Sequence, residues 1–178
     1  MRTGSQTIAI LRDKLRNPMG RHLYGVLGSY EQLDRFEKDY LSQAKEDGHP
    51  FPKPINLNRE LLARVPDSDL RKLVKDEPIR RDAIRDRLKL ELEGLLKHLF
   101  QRHYFVILKQ IELILAYELD LSVFRLEAAN RNHLLLLLPG KQQGTTITLF
   151  HEATSAFQRT LPDTLITGDN LWELNDDQ

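Results

Sequence analysis

A chain of 178 residues is long enough to bury one substantial core and is most simply read as a single domain. Its 26 Lys and Arg balance 26 Asp and Glu, which argues against the broad positive field of a dedicated nucleic-acid binder and leaves only local patches. With no cysteine, disulfides, thiolate metal sites and cysteine nucleophiles are all excluded.

The opening MRTGSQTIAILRDKLRNPMG lacks the apolar core of a signal peptide. The longest apolar runs, Leu134 to Leu138 and Phe105 to Leu108, fall far short of the roughly 20 residues of a membrane helix. A soluble cytoplasmic protein is expected. Within the N-terminal segment, Ser5 to Arg16 carries Ile8, Leu11 and Leu15 at helical spacing and stops at Asn17-Pro18 and Gly20. His22 to Leu27 reads as a strand. Gly28-Ser29 then caps a helix from Tyr30, with Leu33, Phe36, Tyr40 and Ala44 on one face.

Gly48 to Pro54 holds three prolines in five residues and is expected to be loop, because proline donates to neither ladder nor helix. Ile55 to Leu57 predicts a short strand, with Asn58 capping the helix after it. Asp67 or Ser68 caps a short helix, and Pro78, favoured in a first turn, begins a longer one. In that longer helix Ile84, Leu88, Leu92, Leu95 and Leu99 form a single apolar stripe.

Tyr104 to Leu108 strongly favours a strand, and Gln110 to Asn130 is mostly helical with a break near Asp120-Leu121-Ser122. The stretch HLLLLLPGKQQGTTITLF, His133 to Phe150, puts five leucines before Pro139-Gly140 and resumes as an alternating β-branched segment at Thr146. It reads as a buried central strand, a tight loop and a neighbouring strand. Residues 162–178 read as an irregular tail with a short final strand at Asn170 to Leu174. Strands alternating with helices predict a small three-layer α/β domain with a mainly parallel sheet.

Motifs with chemical content are few. Arg80, Arg81, Arg85, Arg87 and Lys89 gather near the start of the long helix, either as a solvated face interleaved with Asp82 and Asp86 or as a partner-contact face. Lys141 lies in the loop from Pro139 to Thr145, which is no phosphate loop, since its glycines flank the lysine and a strand follows. Gly25, Gly28 and Ser29 sit at a strand-to-helix junction and could form a degenerate ligand turn, although the third glycine of a dinucleotide fingerprint is missing.

Of six histidines no pair has metal-ligand spacing; His22 and His133 abut strands and could meet only through folding. Glu112, Glu118 and Asp120 follow a strand, where catalytic groups tend to gather, but read better as solvated helix surface. Ser122 and Ser155 lack a nucleophile elbow. Arg102-His103-Tyr104-Phe105 interleaves basic and aromatic residues, and its rings are expected to pack in the core rather than stack on bases. No catalytic residue, metal site or cofactor is assigned.

Four segments, in their order, resemble the BrxB family of small proteins from BREX bacteriophage-exclusion systems. They are HLYGVLGSYEQLDRFEKDYLSQA, PINLNRELLARV, YFVILKQIELILAYELDLSVFRLEAANRN and HLLLLLPGKQQGTTITLF. The last is similar to the family's apolar strand, Pro-Gly turn and hydroxyl-bearing strand ending in Leu-Phe. Lys109-Gln110-Ile111 departs from the family pattern, which has a glycine-containing turn there, so no ligand site carries over to that edge.

The resemblance implies a non-catalytic accessory or scaffold subunit that helps hold a phosphatase-fold PglZ-like protein, a methyltransferase and a large ATPase together. Nucleic acid would be met only through that complex, and no functional residue set or cofactor follows. On this reading the Arg80 to Lys89 face and Lys141 are the expected partner contacts, and self-association stays open. Two other readings also stay open: a degenerate nucleotide-binding regulatory domain at Gly25, Gly28 and Ser29, and a DNA-contacting accessory subunit.

Overall fold

The apolar runs of the sequence become the strands of one sheet, and the amphipathic segments become its two covering layers. A computed structural model describes residues 1–162 and 164–175; within 67–80 it describes the backbone and the side chains of Asp69, Arg71, Lys75 and Ile79. In chain order the elements begin with α1 (Gly4–Leu15), β1 (Leu23–Gly28) and α2 (Tyr30–Asp39). A small hairpin of β2 (Lys45–Glu46) and β3 (His49–Pro50) leads to β4 (Ile55–Asn56), α3 (Leu57–Ala63) and α4 (Asp67–Phe100). Then come β5 (Phe105–Lys109), α5 (Glu112–Ala116), α6 (Ser122–Glu127), β6 (His133–Gln143), β7 (Thr146–Leu149), β8 (Arg159–Leu161) and β9 (Leu171–Glu173).

The main sheet runs β4-β5-β6-β1-β9, and every neighbouring pair in it is parallel. The far end of β6 leaves this sheet and pairs antiparallel with β7, which pairs antiparallel with β8. The result is the three-layer α/β arrangement expected, with seven strands in the connected sheet.

The leucine run shows how one strand serves two layers, because successive side chains in a strand point to opposite faces. Leu134, Leu136 and Leu138 join Leu57, Leu61, Ile84, Leu88 and Leu92 on the face covered by α3 and α4. Leu135 and Leu137 join Ile8, Leu11, Leu33 and Phe36 on the face covered by α1 and α2. Both of those covering helices start on a reciprocal cap: Thr3 with Gln6, and Ser29 with Gln32. The break foreseen near Asp120 is real, and Asp120 accepts from both the Ser122 N–H (2.9 Å) and its hydroxyl (2.7 Å).

Three local expectations change. α4 is one helix of 34 residues rather than two, with Pro78 inside it. A proline there removes one backbone donor, while the turns on either side keep theirs. β6 does not stop at Pro139-Gly140 but runs to Gln143, leaving only Gly144-Thr145 as the turn, with Gly144 at φ +60. Gly140 makes that continuation feasible: a Cβ there would lie 2.7 Å from Leu149 Cδ2 and 2.8 Å from the Thr148 carbonyl oxygen. Within the proline-rich stretch, His49 and Pro50 do pair with Glu46 and Lys45, on an outer strand where a missing N–H is tolerated. The short final strand foreseen at Asn170 to Leu174 is present as β9: it pairs with β1 and docks the C-terminal stretch, with Trp172 buried against the ring of Tyr24, 5.8 Å between centroids. No helix among the described residues is long and apolar enough to cross a membrane.

Candidate partner-binding groove

A concavity of about 1250 Å³ lies along the outer edge of β5. One wall is the second half of α2, with Asp34, Glu37 and Lys38. The other is the β2–β3 hairpin and the segment Phe51 to Pro54, and Arg102, His103 and Tyr104 close the end.

β4 forms a ladder with only the far end of β5. β4 pairs only with Leu108 and Lys109, whereas Phe105, Val106 and Ile107 have β6 as their one strand partner. The segment lying beside them cannot complete the ladder. The Phe51 N–H donates to the Ala44 carbonyl at 2.9 Å, and Pro52 and Pro54 have no N–H to give. Phe51 instead meets Phe105 edge to face, centroids 5.3 Å apart, and both rings are buried.

Polar groups straddle the groove. Lys109 Nζ lies 2.6 Å from Glu37 Oε2, a half-buried ion pair tying β5 to α2. The Tyr104 hydroxyl donates to Glu46 on the hairpin, and its pKa is pushed up to about 12 by burial and then by that carboxylate. Lys38, Lys53 and Arg102 are exposed and form no ion pair or side-chain hydrogen bond among the described residues.

The residues singled out in the sequence lie elsewhere and are largely engaged within the chain. The Arg81 guanidinium stands 5.1 Å from the Tyr117 ring centroid and donates to the Ala116 carbonyl. Arg85 pairs with Asp82 at 3.1 Å, and Arg87 with Glu91 at 2.9 Å. Lys89 is exposed on the same helix, and the Arg80 side chain lies outside the described residues. Lys141 is exposed on the outer end of β6, opposite Thr148.

At the strand-to-helix turn, a Cβ on Gly25 would lie 2.7 Å from Leu171 and 2.8 Å from Ile166, so this glycine admits the packing of neighbouring side chains. A Cβ on Gly28 would crowd Gln32 at 3.0 Å. Ser29 is committed to its helix: its hydroxyl accepts from the Gln32 N–H at 3.1 Å, and its own N–H donates to Gln32 Oε1 at 2.7 Å. A carboxylate oxygen of Glu152 faces the Tyr30 N–H at 3.5 Å, where an approaching phosphate would otherwise meet the helix end.

Glu112 holds the carboxyl edge of the sheet together. It accepts from the Tyr30 hydroxyl (2.9 Å) and from Asn58 Nδ2 (2.7 Å), while Asn58 Oδ1 accepts from the Leu113 N–H (3.0 Å). Asn58 therefore clips α3 to α5, and Asn56 is the residue that caps α3. Burial, reinforced by Glu112, raises the Tyr30 phenol above its ordinary range.

At the opposite edge, β1–β6 register brings His22 and His133 together, rings stacked at 4.1 Å. The Tyr24 hydroxyl lies 3.0 Å from His133 Nδ1 and 3.3 Å from His22 Nδ1. One hydroxyl carries one proton, so one imidazole accepts from Tyr24 while the other donates to it. Burial, then the neighbouring His22, pushes His133 down to about 4. Burial lowers His22 too, against a raising contact with the Asn130 backbone. Among the described residues no cluster of three or more His, Asp or Glu could hold a metal ion.

Comparison with protein-family models, with curated proteins and with solved structures yields no match to this chain.

Proposed function

We propose that this chain is a non-catalytic accessory or scaffold subunit of a bacterial anti-phage, BREX-like complex, acting through protein contacts in the cytoplasm. The observation that carries the reading is the groove: an apolar floor that includes Phe51 and Phe105, with exposed Lys38, Lys53 and Arg102 at its rim, which is a surface suited to another polypeptide. The resemblance to BrxB adds support, because the four segments that carry it supply β1, β4, β5 and β6, four consecutive strands in the sheet order β4-β5-β6-β1.

The partners on this reading are a PglZ-like phosphatase-fold protein, a methyltransferase and a large ATPase. A tagged chain recovered from its native cell and run on size exclusion at moderate salt is expected to carry at least one of them stoichiometrically. Recovery of a bare monomer or self-oligomer would overturn the assignment.

A further inference from the structure

We propose that His22, Tyr24 and His133 form a proton-operated latch at the amino edge of the sheet, which on taking up one proton releases residues 128–132, the turn between α6 and β6, while the strands stay paired. The proposal is independent of the adaptor reading.

The proton inventory of the cluster argues for a latch. His22 Nε2 is buried without a hydrogen-bond partner, so a proton there would be an orphaned donor, and His22 carries its proton on Nδ1. That N–H donates to the Tyr24 oxygen at 3.3 Å, and the Tyr24 hydroxyl donates to His133 Nδ1 at 3.0 Å. One more proton has two places to go. On His22 Nε2 it meets no acceptor; on His133 Nδ1 it meets the proton that Tyr24 already presents, and the chain of donors breaks. Either way the charge lies in a stack of two buried rings 4.1 Å apart. The groups facing those rings are each other, Tyr24 of β1, the edge of the Tyr104 ring before β5 and the Asn130 backbone. Arg21 and Arg131 on the flanking segments are exposed, and no carboxylate among the described residues acts on either imidazole. Burial accordingly lowers both, His133 to about 4.

The turn is the part that can give. The His22 N–H donates to the Ala128 carbonyl at 2.8 Å and the Asn130 N–H to the Gly20 carbonyl at 3.0 Å, with a single antiparallel bridge between Arg21 and Ala129. Asn130 and Arg131 are exposed, and Asn130 sits in the left-handed region at φ +59. Beyond the turn, Leu134 to Leu136 are fully buried and pair with both β1 and β5. Few bonds therefore hold the turn and many hold the strands, and lifting the Asn130 backbone admits water to His22.

The test is native-state hydrogen exchange, read by NMR on the whole chain between pH 7 and 5 at several low urea concentrations. Protection at the His22, Asn130 and Asn132 amides should fall about 20-fold over that range, as for an opening that frees one imidazole from a closed value of about 4 to its ordinary 6.5. The fall should be independent of urea, while the Leu135 to Leu137 amides keep the urea dependence of global unfolding. In His133→Phe the fall at the turn should shrink. Protection at the turn that is flat from pH 7 to 5, that follows urea as the leucine amides do, or that falls equally in His133→Phe would each overturn the proposal.

Discussion

Acid should destabilise this fold through His133, and the size of the effect follows from its burial. The imidazole is 2% exposed, lies in the stack with His22, and has its pKa pushed down to about 4 from an ordinary 6.5. A histidine whose folded pKa is depressed stays neutral in the native state. Above pH 6.5 neither state binds the proton, so stability does not vary with this group. Between 6.5 and 4 the unfolded chain takes up a proton that the fold refuses, and stability falls; below 4 the loss levels off.

Linkage puts that loss at about 2.5 kcal/mol by pH 4.5 and about 3 kcal/mol in full, with His22 adding in the same direction. The assay is urea denaturation at a series of pH values for wild type and His133→Phe. The substitution keeps a ring in the stack and leaves the Tyr24 hydroxyl its other partner, His22 Nδ1. Carboxylate titrations are common to both proteins, so the difference between their pH slopes isolates the imidazole. Parallel slopes between pH 7 and 4.5 would refute the reasoning, as would an NMR titration midpoint for His133 near 6.5.

Three further outcomes are expected. Trp172→Ala should cost about 3–5 kcal/mol in denaturant unfolding followed by far-UV circular dichroism, because it empties a fully packed site in β9. Trp172→Phe should recover most of that, since the indole Nε1 has no hydrogen-bond partner among the described residues to lose. Gly140→Ala should destabilise by about 1–3 kcal/mol, as its Cβ would press on the Thr148 carbonyl and Leu149, whereas Gly168→Ala, with nothing within 4 Å, should be near neutral by the same measurement. Millimolar ATP with magnesium should leave the melting temperature unchanged; a clear upward shift would restore Gly25, Gly28 and Ser29 as a nucleotide turn despite the Glu152 carboxylate beside it.

Much of the local chemistry was legible in the sequence, although the cap of α3 is Asn56 and not the expected Asn58. The caps at Ser29 and the break at Asp120 depend on residues two or three apart, and both are present. The leucine run was readable as a strand buried on both faces, for the same reason. What depended on register was not legible. His22 and His133 meet because Leu23 pairs with Leu134, and no spacing along the chain encodes that pairing. Pro139-Gly140 misled in the other direction: a punctuation signal for a turn became a strand position because β1 ends opposite Pro139 and Gly140 lets Leu149 close over it. Arg81, Arg85 and Arg87 were visible as a basic stripe, but their pairing with Ala116, Asp82 and Glu91 shows that visible charge and available charge differ.

The prolines between Gly48 and Pro54 mark the clearest gap between the two levels. Sequence says only that such residues cannot donate to a ladder; the fold shows which ladder is thereby left incomplete. An unpaired edge is a hazard, since it templates indiscriminate pairing. At the opposite end of the sheet the chain closes its edge with its own first residues: the Arg2 N–H donates to the Glu173 carbonyl at 2.7 Å, and the Asn175 N–H to the Arg2 carbonyl at 2.9 Å. At β5 it does not. There Phe105, Val106 and Ile107 are buried at the floor of a groove walled by α2 and the β2–β3 hairpin, with Tyr104 tied to Glu46 at the hairpin and Lys109 to Glu37 on α2. One edge is sealed by hydrogen bonds and the other by packing, so exposed and unpaired Lys53 and Arg102 at the groove come ahead of the basic face of α4, whose Arg81, Arg85 and Arg87 are engaged within the chain, as positions for mutagenesis.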